Sequence, residues 1–574
     1  MPLPSLARAL IRERTWPALL DLLIFAGILA VIYAILNTVR YWMGVVTPAA
    51  HISRSAAALP AYAFYSLVRM VAAYLLSLAF AVAYGYLAAY HRRAETVMIA
   101  LLDILQSIPV LSFLPSVMLA MVSLFPGRQL GVELGSIVLI FTGQVWNMAF
   151  SFYTSLKSIP RELSEAASVY RFSGWQRFLE LELPFGAIGL VWNSIVSMAG
   201  GWFFLMACEM FVLGNHDFRL PGLGSYLQVA ASNGDTGAIL WGLAAMIAVI
   251  VLLDQLVWRP AIAWSEKFKF EQVESSAEVT SPILHLLRNS AVVRWIRVRT
   301  AIPLWERLTT AHPDREAAAR AARSRTATIA GYAVAVLVLL AVPYGLFRAA
   351  MSLKDLTRPE LVATVAAAGA TLLRVTASLV IASLWTIPAG VAIGFSPRLA
   401  KIAQPLAQIA ASVPATALFP VVLLALVRLG GGLAVGSIVL MLLGTQWYIL
   451  FNVIAGAMAI PTELREAASV FRFPRAQRWR TVILPGIFPY LVTGLVTASG
   501  GAWNASIVAE YFHFQGKILT TFGLGAQISS ATDSGNTDLL LLSTIVMATL
   551  VVCVNRSVWR PLYRLAETRF RLET

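Results

Sequence analysis

The sequence predicts an all-α polytopic membrane protein, with about twelve transmembrane helices in two parallel six-helix repeats and a pseudo-two-fold axis along the membrane normal. Three observations predict it. The 574-residue chain is 59% hydrophobic and only 13% charged, where a soluble domain carries about 25% charged residues. Apolar runs long enough to cross a bilayer recur along it; a hydrocarbon core about 30 Å thick needs about 20 apolar residues per helix. The second half also repeats the first at nearly constant spacing.

The first set of apolar runs lies near 16–40, 62–90, 97–124, 133–156, 185–213 and 238–263, and the second near 326–349, 363–395, 399–428, 432–456, 485–512 and 537–558. The first run follows Arg8, Arg12 and Arg14. It is too long for a signal peptide and no small-residue cleavage site follows it, so it reads as an uncleaved span. His91-Arg92-Arg93 follow span two, and Lys157 and Arg161 follow span four. Placing these cations inside is self-consistent and leaves both termini in the cytoplasm. An even number of spans per half gives both halves one orientation, hence a parallel repeat. Pro109, Pro115, Pro414 and Pro420 should break or kink the third spans.

The net charge of +15 flanks the hydrophobic runs. That is the positive-inside pattern of a membrane protein, not the basic patch of a nucleic-acid binder. Cys208 and Cys553 fall inside apolar runs without metal-ligand spacing and read as small hydrophobes.

The repeat is verified by counting. Gly143, Trp146, Pro160, Glu165, Pro184, Trp202, Glu209, Gly222 and Gly224 match Gly444, Trp447, Pro461, Glu466, Pro485, Trp503, Glu510, Gly523 and Gly525, every pair 301 residues apart. Upstream, Arg69, Gly85, Pro109 and Pro115 match Arg374, Gly390, Pro414 and Pro420 at a spacing of 305. One length change of four residues between spans three and four reconciles the two. The chain therefore divides into a first membrane unit at 1–263, a linker at 264–325 and a second unit at 326–574. The linker is rich in charge, with one apolar-basic stretch from Val292 to Val298. It reads as a cytoplasmic connector carrying an interfacial helix.

The most telling repeat is polar. Ile159–Phe172 returns as Ile460–Phe473, within loops at about 157–184 and 458–485. Pro160 and Pro461 suit a first helical position, and Glu162 and Glu463 place negative charge in the first turn, where it meets the helix dipole. Ala166, Ala167 and Tyr170, like Ala467, Ala468 and Phe471, would give a small, partly aromatic face for docking. A second basic helix follows, with Arg177 in one copy and Arg475, Arg478 and Arg480 in the other.

At these residues the chain resembles the membrane subunits of ABC importers of the type I permease class. Their cytoplasmic loop reads Glu-Ala-Ala, three residues, Gly, about nine residues, then apolar-x-Leu-Pro. The resemblance assigns that loop to Glu165-Ala166-Ala167 through Pro184 and to Glu466-Ala467-Ala468 through Pro485. It implies short coupling helices that fit a cleft on two separate ATPase subunits, which would hold ATP and Mg2+. It also implies an extracytoplasmic substrate-binding protein and a place in the bacterial inner membrane. Arg69 and Arg374, with Trp202…Glu209 and Trp503…Glu510, look most like the nitrate/sulfonate/taurine-type subgroup, which implies a small anionic solute. One departure stands out. Arg171 and Arg472 occupy the glycine position of the motif in both copies. Arginine makes a tight bend there less expected, and it adds a cation able to pair with an acidic partner surface.

Candidate residues of a translocation path are the polar groups inside spans. Arg69 and Arg374 lie at membrane depth, where a charge costs about 2.5–3.5 kcal/mol and so takes a partner; Glu209 and Glu510 could supply it. The pairs read either as structural ties or as gating groups. Gln144, Asn193 and Trp202, with Gln446, Trp503 and Asn504, complete the set, beside the close-packing glycines 200–201 and 500–501.

No Gly-x4-Gly-Lys-Ser/Thr loop, metal-spaced cluster or nucleophile–base arrangement occurs in the sequence. The chain is expected to be a transport subunit and not an enzyme, with ATP hydrolysed by partners. The rival reading is a major-facilitator-type secondary transporter, which shares the six-plus-six plan. Against it, the loop between spans two and three is only His91-Arg92-Arg93-Ala94-Glu95, and the polar helical loops follow spans four and ten.

Overall fold

A computed structural model describes residues 52–213, 216–268, 290–301, 357–428, 432–514 and 517–569, with a few isolated positions outside them. The spans expected near 16–40 and 326–349 lie almost wholly outside these residues. Among the described residues, eight helices are long and apolar enough to cross a membrane, four in each half.

In the first half these are α1 (Leu59–Tyr90), α4 (Gln129–Lys157), α7 (Leu183–Glu209) and α9 (Thr236–Leu253). In the second they are α12 (Arg358–Phe395), α15 (Leu433–Ala459), α18 (Leu484–Ala509) and α20 (Thr537–Val554). Each bundle is built the same way, with α4 packed between α1 and α7, and α15 between α12 and α18. Small residues allow this. Gly85 of α1 sits against Phe152 and the Ala149 carbonyl of α4, where a Cβ would lie within 3.1 Å of both.

The third spans are not single helices. In the first half an amphipathic helix, α2 (Arg92–Ser107), stops before Pro109, and a 3₁₀ turn (Val110–Phe113) leads into the short apolar α3 (Leu114–Leu124). The second half has α13 (Pro397–Ser412) and α14 (Ala415–Arg428), broken at Pro414. Pro109 and Pro414 thus act as breakers, because proline has no N–H to give and disfavours helix in the residue before it. Pro115 instead opens α3, and Pro420 is carried inside α14. These broken segments join the halves. The Val110–Phe113 turn packs on α18 and α20, while α14 packs on α7 and α9.

The polar loops fold as short helices, α5 (Arg161–Val169) with α6 (Gly174–Arg177), and α16 (Thr462–Val470) with α17 (Arg475–Arg478). Pro160 and Pro461 are the cap residues, one position before the first helical position expected for them. A five-residue π-helical turn then feeds α7 and α18, whose second residues are Pro184 and Pro485. At the other end of the bundle each half adds a small antiparallel hairpin and a helix to the all-α plan. These are β1 (Val212–Leu213), β2 (His216–Asp217) and α8 (Leu223–Ser232), then β3 (Tyr511–Phe514), β4 (Lys517–Thr520) and α19 (Leu524–Ser534). Among the described residues between α9 and α12 lie α10 (Arg259–Ser265) and, in the linker, α11 (Ala291–Ile296), which runs on to Ala301 and leaves Trp295 and Val298 exposed.

Candidate functional site: two polar loops, two buried locks and an axial pocket

The loops present one face outward and bury another. Val169 and Tyr170 are 79% and 76% exposed, and Val470 and Phe471 are 76% and 73% exposed. Glu162, Glu165, Glu463 and Glu466 are exposed beside them. Of the small residues expected on the docking face, Ala167 and Ala468 turn inward and are buried, while Ala166 and Ala467 are half-buried. The outward face is therefore carboxylates leading to an apolar and aromatic tip.

The tight bend forms despite the arginines. Arg171 and Arg472 adopt φ of 53° and 50°, in the left-handed region. Arg171 N donates to Ser168 O and Phe172 N to Ala167 O; Arg472 N and Phe473 N repeat this with Ser469 O and Ala468 O. This is the Schellman helix ending, whose left-handed residue is usually glycine. A side chain there costs about 1–2 kcal/mol, and both arginines point it into solvent.

Each loop is tied back to its bundle, by different chemistry in the two halves. In the first, Arg177 donates to Ser164 Oγ of α5 and to the buried Glu182, which also accepts from Tyr90 at the end of α1. In the second, isoleucine and phenylalanine stand where Glu182 and Tyr90 would be: Ile483 and Phe395. There the Arg465 guanidinium of α16 lies 4.3 Å from the Phe395 ring centre, a cation–π contact.

At the opposite end, about 40 Å away along α7 by helical rise, each half holds a buried lock. Glu209 accepts from Ser66, Arg69 and the Gly224 N–H at the start of α8; Arg69 also donates to the Pro221 carbonyl. Glu510 likewise accepts from Thr371, Arg374 and the Gly525 N–H of α19. Each carboxylate thus caps a helix N-terminus borrowed from the next segment, where negative charge is favoured. The repeated Gly-x-Gly follows from space: a Cβ on Gly222 would lie 2.3 Å from the Glu209 carboxylate, and one on Gly523 2.2 Å from that of Glu510.

The locks differ in one group that sequence reasoning missed. Glu133, in the first turns of α4, receives both Nε and Nη2 of Arg69, and all three side chains are fully buried. Its counterpart is Ala434; Arg374 keeps the equivalent carbonyl, that of Phe522, but gives Nη2 to Thr521 Oγ1, with 15% of its side chain exposed. An acid at the head of an otherwise apolar run was the available signal.

The other polar candidates do not converge. Gln144 packs its amide nitrogen against Met70 and Met198 sulfurs and against Gly201, and its Oε1 has no hydrogen-bond partner among the described residues. Asn193 and Asn504 donate to carbonyls of their own helices, although Asn504 Oδ1 also receives Leu111 N–H from the other half at 3.5 Å. Trp202, Trp503 and Gln446 are buried, and Trp503 Nε1 has no hydrogen-bond partner among the described residues.

What does converge is a pocket of about 450 Å³ between the halves, at the lock end. Its lining includes Ala207 with Val508, Met210 with Tyr511, Phe211 with Phe512, Val212 with His513, Gln228 with Ser529 and Ser232 with Asp533. Every one of these pairs is 301 residues apart, so the pocket lies on the pseudo-two-fold axis. Tyr511 donates to Asp533 Oδ2 at 2.6 Å, and His513 Nε2 stands 3.5 Å from the same oxygen. Burial and the Asp533 carboxylate push the Tyr511 phenol above its ordinary value. Arg219, also in the lining, is clasped by Asp217 of β2. Burial alone would raise the Asp217 carboxyl, but the hydrogen bonds and charge of Arg219 hold it below the ordinary carboxylate range.

Residues 81–257 and 386–563 each match the model of the binding-protein-dependent transport system inner membrane component. The chain belongs to that family. The two matches cover more than half of the chain and one falls in each structural repeat, so two family units are fused in one polypeptide and the major-facilitator alternative is not favoured. The chain is 32% identical over 179 residues to the taurine transport system permease protein of Escherichia coli (strain K12), covering 31% of this chain and 62% of that one. It is 28% identical over 186 residues to a nitrate import permease protein of Leptolyngbya laminosa, covering 32% and 63%. To a bicarbonate transport system permease protein of Synechococcus elongatus it is 30% identical over 141 residues, covering 25% and 49%. The chain thus spans a little under two thirds of the length of the first of these relatives. Family and apolar helices together make it a multi-pass inner-membrane protein.

Proposed function

We propose that this chain is the permease subunit of an ATP-driven ABC importer, carrying both halves of the translocation path for a small anionic solute. The observation that carries the reading is the pair of polar loops with exposed Tyr170 and Phe471 at their tips. Large aromatics left bare at equivalent places in two repeats suit insertion into two equivalent clefts. Two ATPase subunits, holding ATP and Mg2+, dock on these loops from the cytoplasm, with Glu162, Glu165, Glu463 and Glu466 on the same face. Arg171 and Arg472, exposed at the bend, pair with acidic groups on those subunits. Closure of the ATPases draws the loops together and rocks the halves about the axis; the locks at Glu209 and Glu510 keep the outer helices moving with their bundles.

A substrate-binding protein delivers the solute at the lock end, where α8, α19 and the hairpins cover the bundle. Both termini and the linker at 264–325 lie in the cytoplasm of a bacterial cell, and no nucleic acid is involved. Taurine, nitrate and bicarbonate are named in the relatives, and each carries a small anionic group, which supports a small solute with an anionic group.

The test is co-purification of the solubilised chain from its host, beside a Glu165→Arg/Glu466→Arg variant. Both side chains are exposed, so the variant folds as the parent does. An ATPase retained by the parent and lost from the variant supports the reading. Folded parent protein that carries no ATPase overturns it.

A further inference from the structure

The axial pocket has a symmetric frame and asymmetric chemistry. Across the pseudo-axis the apolar walls are kept, as with Phe211 facing Phe512. The polar groups are not. The second half supplies Tyr511, His513 and Asp533 where the first has methionine, valine and serine, and the first supplies Gln228 and Arg219 where the second has serine and threonine. A site meant for a round inorganic anion gains nothing from this arrangement. Nitrate or bicarbonate would be served by cations and N–H donors, and a carboxylate such as Asp533 in the lining would repel it. About 450 Å³ is also far more room than such an ion fills, and falls in the range of pockets for small organic ligands.

The pocket lining carries two unlike polar groups. Arg219 uses Nε and Nη2 on Asp217, and Nη1 makes no hydrogen bond among the described residues, leaving donors for an anionic group. Asp533 is an acceptor served by one phenol and by a histidine at the long distance of 3.5 Å. Gln228 lines the same pocket, and its Oε1 has no partner among the described residues. An acceptor left over in a buried place calls for a donor. Apolar side chains, Leu111, Phe211 and Phe512 among them, make up much of the remaining wall. We propose that this pocket is a solute site for a short organic zwitterion, held in one orientation with its anionic end at Arg219 and its ammonium at Asp533 and Gln228. This rests on the importer reading and narrows its solute from small anions in general to bipolar organic ones.

The experiment measures equilibrium binding to the purified full-length chain in lipid nanodiscs, with no ATPase or binding protein present. The probes are taurine, ethanesulfonate, ethylamine and nitrate. Binding to the chain alone does not depend on ATPase docking, so its failure and failure of the importer reading are seen separately. Taurine is expected to bind at least tenfold more tightly than ethanesulfonate or ethylamine, and nitrate more weakly than any of them. Asp533→Asn should reduce the preference for taurine over ethanesulfonate about tenfold, weakening taurine binding while ethanesulfonate binding holds or tightens. Arg219→Gln should do the converse, weakening taurine and ethanesulfonate but not ethylamine. Tyr511→Phe guards against misfolding of the Asp533 variant; it leaves the carboxylate less satisfied and should strengthen taurine binding. Nitrate binding as tightly as taurine, taurine failing to saturate the chain, or variants that leave the order of probes unchanged would each overturn the proposal.

Discussion

Neutralising the two lock carboxylates should have unequal effects, although their sequence contexts are nearly the same. Glu209→Gln removes one of two acids on Arg69; Glu133 still receives Nε and Nη2. At Arg69 the loss is that of one hydrogen bond between charged groups, about 1.5–3 kcal/mol. The hydroxyl and N–H donors of Ser66 and Gly224 have counterparts at Glu510 and drop out of the comparison. Glu510→Gln removes the one carboxylate that meets Arg374 among the described residues. Leaving a buried charge without its partner costs about 3–5 kcal/mol. Because Arg374 is 15% exposed and keeps Thr521 and the Phe522 carbonyl, the lower end of that range applies. The second-half variant should therefore be the less stable, by up to about 1.5 kcal/mol. Thermal unfolding of the purified chain in one detergent compares the midpoints directly. A Glu133→Gln/Glu209→Gln double variant strips Arg69 of both acids and should fall to or below the Glu510→Gln midpoint. A Glu209→Gln variant as unstable as Glu510→Gln, or a double variant no worse than the single, would refute the unequal locks.

Three further outcomes follow from local geometry. Arg171→Gly and Arg472→Gly should melt no lower than the parent, whereas Arg171→Val should lose about 1–2 kcal/mol relative to glycine, because the left-handed bend penalises a branched side chain. Glu182→Gln should raise hydrogen exchange in α5 alone, and Phe395→Leu in α16 alone, since the two loops are anchored by unlike contacts. Equal effects of either substitution on both loops would contradict this. The depressed Asp217 carboxyl stabilises the β1–β2 hairpin in its charged form; that contribution is complete above about pH 4 and is lost as the pH falls below it. Hydrogen-exchange protection at Leu213 and His216, taken relative to the intrinsic amide rate at each pH from 6 to 3, should fall only at the acid end, and Asp217→Asn should abolish the change.

The sequence alone determined the class, the duplication and the loops. Apolar length and charge placement are local properties, and the lipid environment leaves helices as the main way to satisfy the backbone, so composition was enough. The repeat was legible because identical packing problems in two halves retain identical residues: Gly222 and Gly523 must be small to admit a carboxylate. The breaking of the third spans at Pro109 and Pro414 was also readable, from the missing N–H.

Only the tertiary structure decided how long-range partners meet. Glu133 lies 64 residues from Arg69, and its place at the head of an apolar run marks it as an acid in need of a partner without saying which cation it meets. Ala167 and Ala468 read as a docking face by helical spacing, yet which side of a short helix faces the bundle depends on how the chain leaves it at Arg171 and Arg472. The axial pocket was invisible for the same reason. Its walls come from helix ends and hairpins about 300 residues apart, each unremarkable alone, and they form a site only because the fold brings equivalent positions face to face across one axis.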